Sequence, residues 1–246
     1  MITLVTGSNG QLGKTIQSIV KNNSEFIFTD INSLDITKKE KIESLIISQD
    51  INCIVNCAAF TDVDGAEIEK EKADELNDNA IKNLVEISET YKLRLIHIST
   101  DYVYNGINKS EISEYEHVNP QNYYGVSKLN GEKHIENSIS ESIVIRTSWL
   151  YSSFGKNFVK TIIEKSKTKD LLKIVGDQYG CPTNAYDLAN AIIQIIKSKD
   201  RFDKEENWNN GGHPDRLVWH NEKNLHADAN FLWEACKRDP ARIYEL

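Results

Sequence analysis

Apolar positions come in two rhythms along this chain. Ile2 to Thr6 is a short β-branched run that stops at a glycine, and from Gln11 to Val20 the residues Leu12, Ile16, Ile19 and Val20 fall on one helical face. The opening therefore reads as strand, tight turn, helix. Further apolar runs at 25–29, 53–56, 93–98 and 143–146 alternate with longer charged segments of helical period at 38–48, 69–91, 121–137, 157–167 and 186–198. Strands apolar on both faces and separated by helices predict a parallel sheet covered on both sides. With right-handed crossovers the layout is doubly wound, and a ligand crevice is expected beyond the carboxyl ends of the strands.

The fold class that follows is α/β, a Rossmann-like doubly wound parallel sheet, with a small C-terminal substrate-binding part. No repeat of 20 to 50 residues and no low-complexity stretch interrupts the 246 residues, so one domain is the simplest account. Within it, residues 1–150 are expected to hold the dinucleotide-binding core and residues 151–246 the remaining core elements and a substrate-side region. After about residue 200 the texture changes, with three of the four Trp, three of the six His and a Gly-Gly-His-Pro break at 211–214.

Composition narrows the function classes. The chain is 39% hydrophobic and 27% charged with 12 Gly and 4 Pro, which suits a packed globular protein. Its 29 basic and 37 acidic residues leave a net charge of -8, the wrong sign for a phosphate-backbone binder or an anionic membrane. No nucleic-acid or membrane partner is expected. Cys53, Cys57, Cys181 and Cys236 form no CxxC pair and read as reduced, structural thiols. No run of about 20 apolar residues is present, and the strand-like MITLVTG start is unlike a leader, so a soluble cytoplasmic protein is expected.

The first turn reads TGSNGQLG, with Gly7, Gly10 and Gly13 between a strand and a helix. Gly7 would allow the tight turn, Gly10 a close approach of backbone to a pyrophosphate, and Gly13 close packing of helix on strand. Dinucleotide binding at the helix N-terminus is the chemistry this arrangement serves. Asp30 follows the second strand, about 20 residues on, where a carboxylate accepts from ribose hydroxyls and repels a 2′-phosphate. NADH is therefore slightly favoured over NADPH, although the same residue also reads as a loop or cap aspartate. Asp35 and Ile36 stand where a loop would border an adenine. Ala58, Ala59, Phe60 and Thr61 follow the third strand with small residues that admit a cofactor or simply pack the core.

Tyr124 and Lys128 form a YxxxK pair, which on a helix places both side chains on one face. A free phenol has a pKa of about 10, and a neighbouring ammonium is expected to bring it toward useful acid chemistry. Ser99, Thr100 and Asp101 end a strand on the side of the sheet where the crevice should open. Thr100 is placed to bond a substrate oxygen, though Ser-Thr-Asp is also an ordinary helix cap.

Taken in order, these residues resemble the extended short-chain dehydrogenase/reductases, and within them the dTDP-4-dehydrorhamnose reductase family. The resemblance rests on TGSNGQLG, LDIT at 34–37, VNCAAFTDVDGAE at 55–67, ISTDYVYNG at 98–106, YYGVSKLNGE at 123–132, IRTSWLY at 145–151, GKNFV at 155–159 and DQYGCPT at 177–183. It covers about residues 1–198. It implies NADH- or NADPH-dependent reduction of the 4-keto group of the nucleotide sugar dTDP-4-dehydro-L-rhamnose to dTDP-L-rhamnose. Carried over by motif, Tyr124 is the proton donor, Lys128 tunes it and holds the nicotinamide ribose, Thr100 and Asp101 meet the substrate carbonyl, and Trp149 lines the sugar-nucleotide pocket. Gly10, Gln11, Leu12, Asp30, Asp35, Ile36, Ala59, Phe60 and Thr61 fall at the family's dinucleotide contacts.

Residues beyond about 200 do not resemble the family's longer C-terminal part, which supplies much of the sugar-nucleotide pocket. Some relatives dimerise around Mg²⁺ held by acidic residues of that part, so a homodimer and Mg²⁺ are expectations from resemblance alone. His213, His220 and His226 lack the i, i+4 spacing of a helical metal pair and read as packing or solvated residues, and no metal site is expected from them. Two alternatives stay open at the level of sequence: another sugar-nucleotide reductase or epimerase, and a non-catalytic dinucleotide-binding regulatory subunit of the same fold.

Overall fold

In the computed structural model the described residues are 1–107, 112, 115–174 and 180–197, together with the backbone of 215–218. The strands are β1 (Ile2–Thr6), β2 (Phe26–Phe28), β3 (Ile51–Asn56), β4 (Arg94–Thr100), β5 (Ser142–Thr147), β6 (Leu150–Tyr151), β7 (Thr183–Asn184) and β8 (Asp215–Val218). The α-helices are α1 (Gln11–Ile19), α2 (Lys39–Gln49), α3 (Val63–Ile68), α4 (Lys70–Asp74), α5 (Ala80–Tyr91), α6 (Tyr123–Glu136), α7 (Phe158–Ser166) and α8 (Ala185–Lys197). Six strands form one parallel sheet in the order β2-β1-β3-β4-β5-β8, and β6 and β7 form a separate parallel pair.

The pleat explains why the strands read as unbroken apolar runs. Leu4, Ile54, Leu95 and Val144 point to one face, where Ile42, Ile46, Ile81, Leu84 and Ile135 from α2, α5 and α6 cover them. Their neighbours Val5, Val55, Ile96 and Ile145 point to the other, against Leu12 and Ile16 of α1 and Leu188, Ala189 and Ile192 of α8. Helix α8 thus packs beside α1 on this second face, in the core that Val5 of β1 enters. The chain leaves β1 for β2 on one side and comes back to β3 on the other, so the strand order reverses beside β1. A crevice opens there, beyond the carboxyl ends of β1 and β3.

Two features depart from the elements read above. The apolar runs end with 143–146, whereas β8 at 215–218 adds a sixth strand to the sheet, parallel to β5. The helix expected over 69–91 is broken by a π-helical turn at Glu75–Asn79, between α4 and α5. The turn packs hard on α6: a Cβ on Gly131 would stand 2.2 Å from the Asn77 carbonyl, so a glycine lets the two helices meet there.

Candidate active site

The glycine turn after β1 has the geometry that close backbone approach demands. Gly7 has φ +64°, and a Cβ there would lie 2.6 Å from the Ala58 nitrogen, so a side chain is excluded by both conformation and space. A Cβ on Gly13 would lie 2.5 Å from the Ser8 Cα, which brings α1 hard against the turn. Gly10 caps α1 without a side-chain bond, and no acidic residue stands in the first turn. The amide N–H groups that begin α1 therefore face a cleft with no protein acceptor of their own, as an anion requires.

That cleft, of about 1010 Å³, gathers most of the candidates at one place: Gly7, Gly10, Gln11, Leu12, Gly13, Asp30, Ile36, Ala58, Ala59, Thr61, Thr100, Asp101, Tyr124, Lys128 and Trp149 all line it. Asp35 and Phe60 are not brought to it. Asp35 Oδ1 accepts from the Thr37 amide and hydroxyl, which hold it in a local turn. Phe60 packs with Tyr124, Tyr102 and Ala66, while its backbone exchanges two hydrogen bonds with the Asn77 side chain. Gln11 also differs from expectation, because its amide reaches away from the turn. It donates to the Leu150 carbonyl and accepts from Ser152 and Asn157, tying the glycine turn to the loop before α7. Asp30 lines the cleft and also holds its own loop, with Asn9 donating to Oδ2 and the Asn32 and Ser33 amides to Oδ1.

At the cleft floor the Tyr124 phenol lies within hydrogen-bonding reach of Thr100. Burial pushes it up to about 12, with the Thr100 bond pulling the other way. Thr100 caps the short 3₁₀ turn at 101–103 by accepting from the Tyr102 amide at 3.2 Å, and its hydroxyl donates to Asp101 at 3.2 Å. The cap and the site are thus one residue. Burial raises the Asp101 carboxyl to about 6.

Lys128 departs from its expected pose. Its Nζ donates to the Ile98 carbonyl at 2.7 Å and lies 3.2 Å from His97 Nε2, turned toward β4 instead of toward the phenol. Burial pulls this amine down to about 8, with Glu132 opposing. The expected tuning of Tyr124 by Lys128 is not expressed in this arrangement, where burial dominates the phenol.

Several contributors were not singled out from sequence. His97 and Asn56 are fully buried beneath Lys128. Asn77 grips Phe60 and donates to Ser127 of the YxxxK helix at 3.0 Å. A histidine inside an apolar strand and asparagines at a strand end or mid-helix were the available signals. Beyond the floor, Trp149 sits at φ +44°, a left-handed conformation rare for a bulky residue, and its ring packs over Gly180 and against Phe158. It lines both the cleft and an adjoining cavity of about 750 Å³ that includes Tyr102, Phe158, Lys165, Lys169 and Lys173.

Among the described residues no group of three or more His, Cys, Asp or Glu side chains is arranged to hold a metal ion, and no helix is long and apolar enough to cross a membrane. His213, His220, His226 and Cys236 lie outside the described residues. Cys53, Cys57 and Cys181 are free thiols.

A family model described as the RmlD substrate binding domain matches residues 1–220. A dTDP-4-dehydrorhamnose reductase of Aggregatibacter actinomycetemcomitans is 38% identical over 196 residues, 79% of this chain and 67% of that protein. The chain belongs to the dTDP-4-dehydrorhamnose reductase family. Another such reductase, from Sinorhizobium fredii, is 34% identical over 78% of this chain and 65% of its own length. The chain spans about two thirds of the length of the curated relatives it matches. The crystal structure of a reductase of this family from Clostridium acetobutylicum superimposes with a TM-score of 0.80 at 37% identity, covering 89% of this chain and 74% of that one. The Bacillus anthracis reductase, solved in complex with NADP, does so with 0.78 at 32% identity over 89% and 74%. The family match reaches residue 220, farther than the resemblance over about residues 1–198, and so takes in β8.

Proposed function

We propose that this chain is an NAD(P)H-dependent reductase of the 4-keto group of dTDP-4-dehydro-L-rhamnose, yielding dTDP-L-rhamnose. The observation that carries the reading is the placement of the Tyr124 phenol beside Thr100 on the floor of one cleft, with the glycine turn at one end and Trp149 at the other. Matching reductases, one of them solved with NADP, support the substrate and cofactor.

The uncapped first turn of α1 fits a dinucleotide pyrophosphate, and Ala58, Ala59 and Ile36 give the rest of the cleft small and apolar walls. When bound, the reduced nicotinamide supplies a hydride to the keto carbon. Tyr124 protonates the oxygen that becomes anionic, and Thr100, one hydrogen bond away, orients that oxygen. Trp149 and the lysine-bordered cavity beside it face the nucleotide-sugar end. A cytoplasmic location and a homodimer complete the reading.

The deciding assay follows NAD(P)H oxidation with dTDP-4-dehydro-L-rhamnose. Turnover with this sugar and not with UDP-linked hexoses is the expected result. Turnover of another nucleotide sugar alone would favour a different sugar-nucleotide enzyme, and dinucleotide binding with no turnover of any sugar would favour a regulatory subunit.

Asp30 gives a second expected outcome. Its charge stands at the cleft rim, so NADH should be bound at least as well as NADPH, and Asp30→Asn should move the ratio of dissociation constants toward NADPH by about threefold to tenfold, an effect of about 1 kcal/mol. Calorimetric titration of both proteins with both cofactors checks it. A clear wild-type preference for NADPH would remove the carboxylate's assigned role.

A further inference from the structure

The glycine turn and the cavity beside Trp149 are tied together by two side-chain amides that take no part in the hydride or proton transfer. Gln11 opens α1, whose first amides face the cleft, and Asn157, only 8% exposed, stands just before α7. Asn157 Oδ1 caps that helix by accepting from the Lys160 amide at 3.0 Å. A backbone N–H only donates, so the oxygen is the atom at that end and Nδ2 faces the other way. Its two hydrogens go to the Ser152 carbonyl at 2.8 Å and to Gln11 Oε1 at 2.9 Å. The Gln11 amide is oriented in turn: Oε1 also accepts from the Ser152 hydroxyl at 3.2 Å, and Nε2 donates to the Leu150 carbonyl at 3.3 Å. Reversing either amide would set N–H against N–H and oxygen against oxygen.

The loop before α7 is shaped to this contact. Gly155 has φ +63°, and a Cβ there would lie 3.0 Å from Gln11 Cγ, so the backbone lies directly on the glutamine stem. Lys160 Nζ donates to the Ser153 and Gly155 carbonyls and closes the loop from the α7 side. Helix α7 has a core of its own. Its buried Ile162 and Ile163 pack with Val159, Leu172 and Ile174 in a small cluster separate from those on the two faces of the sheet. A helix held apart from the main core depends on its local ties for a fixed position. Asn157 supplies a polar tie to the dinucleotide turn, and Phe158 a ring contact with Trp149.

We propose that Gln11 and Asn157 are positioning residues that couple the two ends of the site. An anion seated on the first turn of α1 fixes the root of Gln11, and through Asn157 this steadies the start of α7, whose Phe158, Val159, Thr161, Ile162 and Lys165 wall the cavity of about 750 Å³. A dinucleotide in the cleft and a nucleoside diphosphate in the cavity therefore each tighten the binding of the other. The occupant of the cavity rests on the reductase reading; the tie between the dinucleotide turn and α7 does not. Phe158 also lines the cleft, so a direct touch by the cofactor is the rival explanation for any effect on α7, and cutting the tie separates the two.

Asn157→Asp keeps the oxygen that caps α7, and a carboxylate suits a helix N-terminus, but it removes both N–H donors. Gln11→Met cuts the tie from the other side and keeps the Cγ beneath Gly155. In hydrogen exchange on the full chain, NADH should slow the amides of α7 in the wild-type protein, and in each variant should slow those of the glycine turn but not those of α7. With dTDP as the probe in calorimetry, bound NADH should tighten its Kd by about fivefold or more in the wild type and by no more than about twofold in each variant. The double variant should match the single ones, because either cut opens the same tie. In Asn157→Asp the KM for the sugar nucleotide should rise by about the factor lost while kcat stays within about threefold, a split that general loosening of the fold would not give. Exchange in wild-type α7 that ignores NADH overturns the proposal, as does a dTDP affinity indifferent to NADH. Equal protection of α7 in the variants overturns it in favour of direct contact through Phe158. If dTDP does not bind but NADH protects α7 only while the tie is intact, the reductase reading of the cavity fails and the positioning role of Gln11 and Asn157 stands.

Discussion

Tyr124→Phe is expected to lower kcat by two to four orders of magnitude while leaving the Kd for NADH within about threefold. The substitution removes one oxygen from a side chain only 9% exposed and keeps the ring that packs with Phe60, Ala66 and Tyr102, so the helix and cleft walls should hold. What disappears is the acid. The other buried acid beside Thr100 is Asp101, whose carboxyl is raised to about 6 and is therefore mostly ionised at neutral pH. Since its folded value lies above the ordinary carboxylate range, protonated Asp101 accumulates as pH falls through about 6, and the residual rate of the variant should rise in that direction. Stopped-flow oxidation of NADH between pH 5 and 8 reads both effects. Near-normal kcat at pH 7 would take the proton-donor role away from Tyr124.

Much of this site is written in local patterns. The glycine spacing of 7, 10 and 13 reflects three places where a Cβ meets backbone or an N-terminal turn must stay open, and such demands are visible in one dimension. Tyr124 and Lys128 share a helix face by spacing alone, and Thr100 reached the site because it ends a strand that the apolar runs already defined. Lys128 depends on more than local pattern. Its partner comes from β4, thirty-one residues earlier, and although RLIHIST shows a histidine among apolar residues, nothing in that run says that it meets a lysine. The π turn at 75–79 was hidden for a related reason: ELNDN continues a helical pattern, and its close packing on Gly131 of α6 is a tertiary contact. Strand β8 escaped because Leu217-Val218-Trp219 is an apolar run of only three residues between charged and polar neighbours, and its meaning depends on the open edge of β5. Asp35 shows the opposite case, a carboxylate whose Oδ1 is held by the Thr37 amide and hydroxyl of its own turn while its neighbours Leu34 and Ile36 line the cleft.

The largest stability effect should come from a pair that never touches the cleft. Arg146 of β5 and Glu132 of α6 are 0% and 1% exposed; Arg146 Nε donates to the carboxylate at 3.0 and 3.2 Å, Nη2 at 2.5 Å, and Nη1 donates to the Tyr104 hydroxyl at 2.8 Å. Such a pair contributes little net stability as a unit, because two desolvated charges offset their own attraction, but losing one partner strands the other. Arg146→Met should therefore destabilise the fold by about 3–5 kcal/mol, a fall in Tm of roughly 10 °C for a chain of this length. Glu132→Met with Arg146→Met, which removes both charges and keeps the volume apolar, should recover most of that loss in denaturant titration. The pair also joins the helix bearing Tyr124 and Lys128 to the sheet, one turn beyond Lys128, so the single variant should lose kcat below its melting range as well. A double variant as unstable as Arg146→Met would mean that the shape and hydrogen bonding of this particular pair, and not the stranded charge, hold α6 against β5.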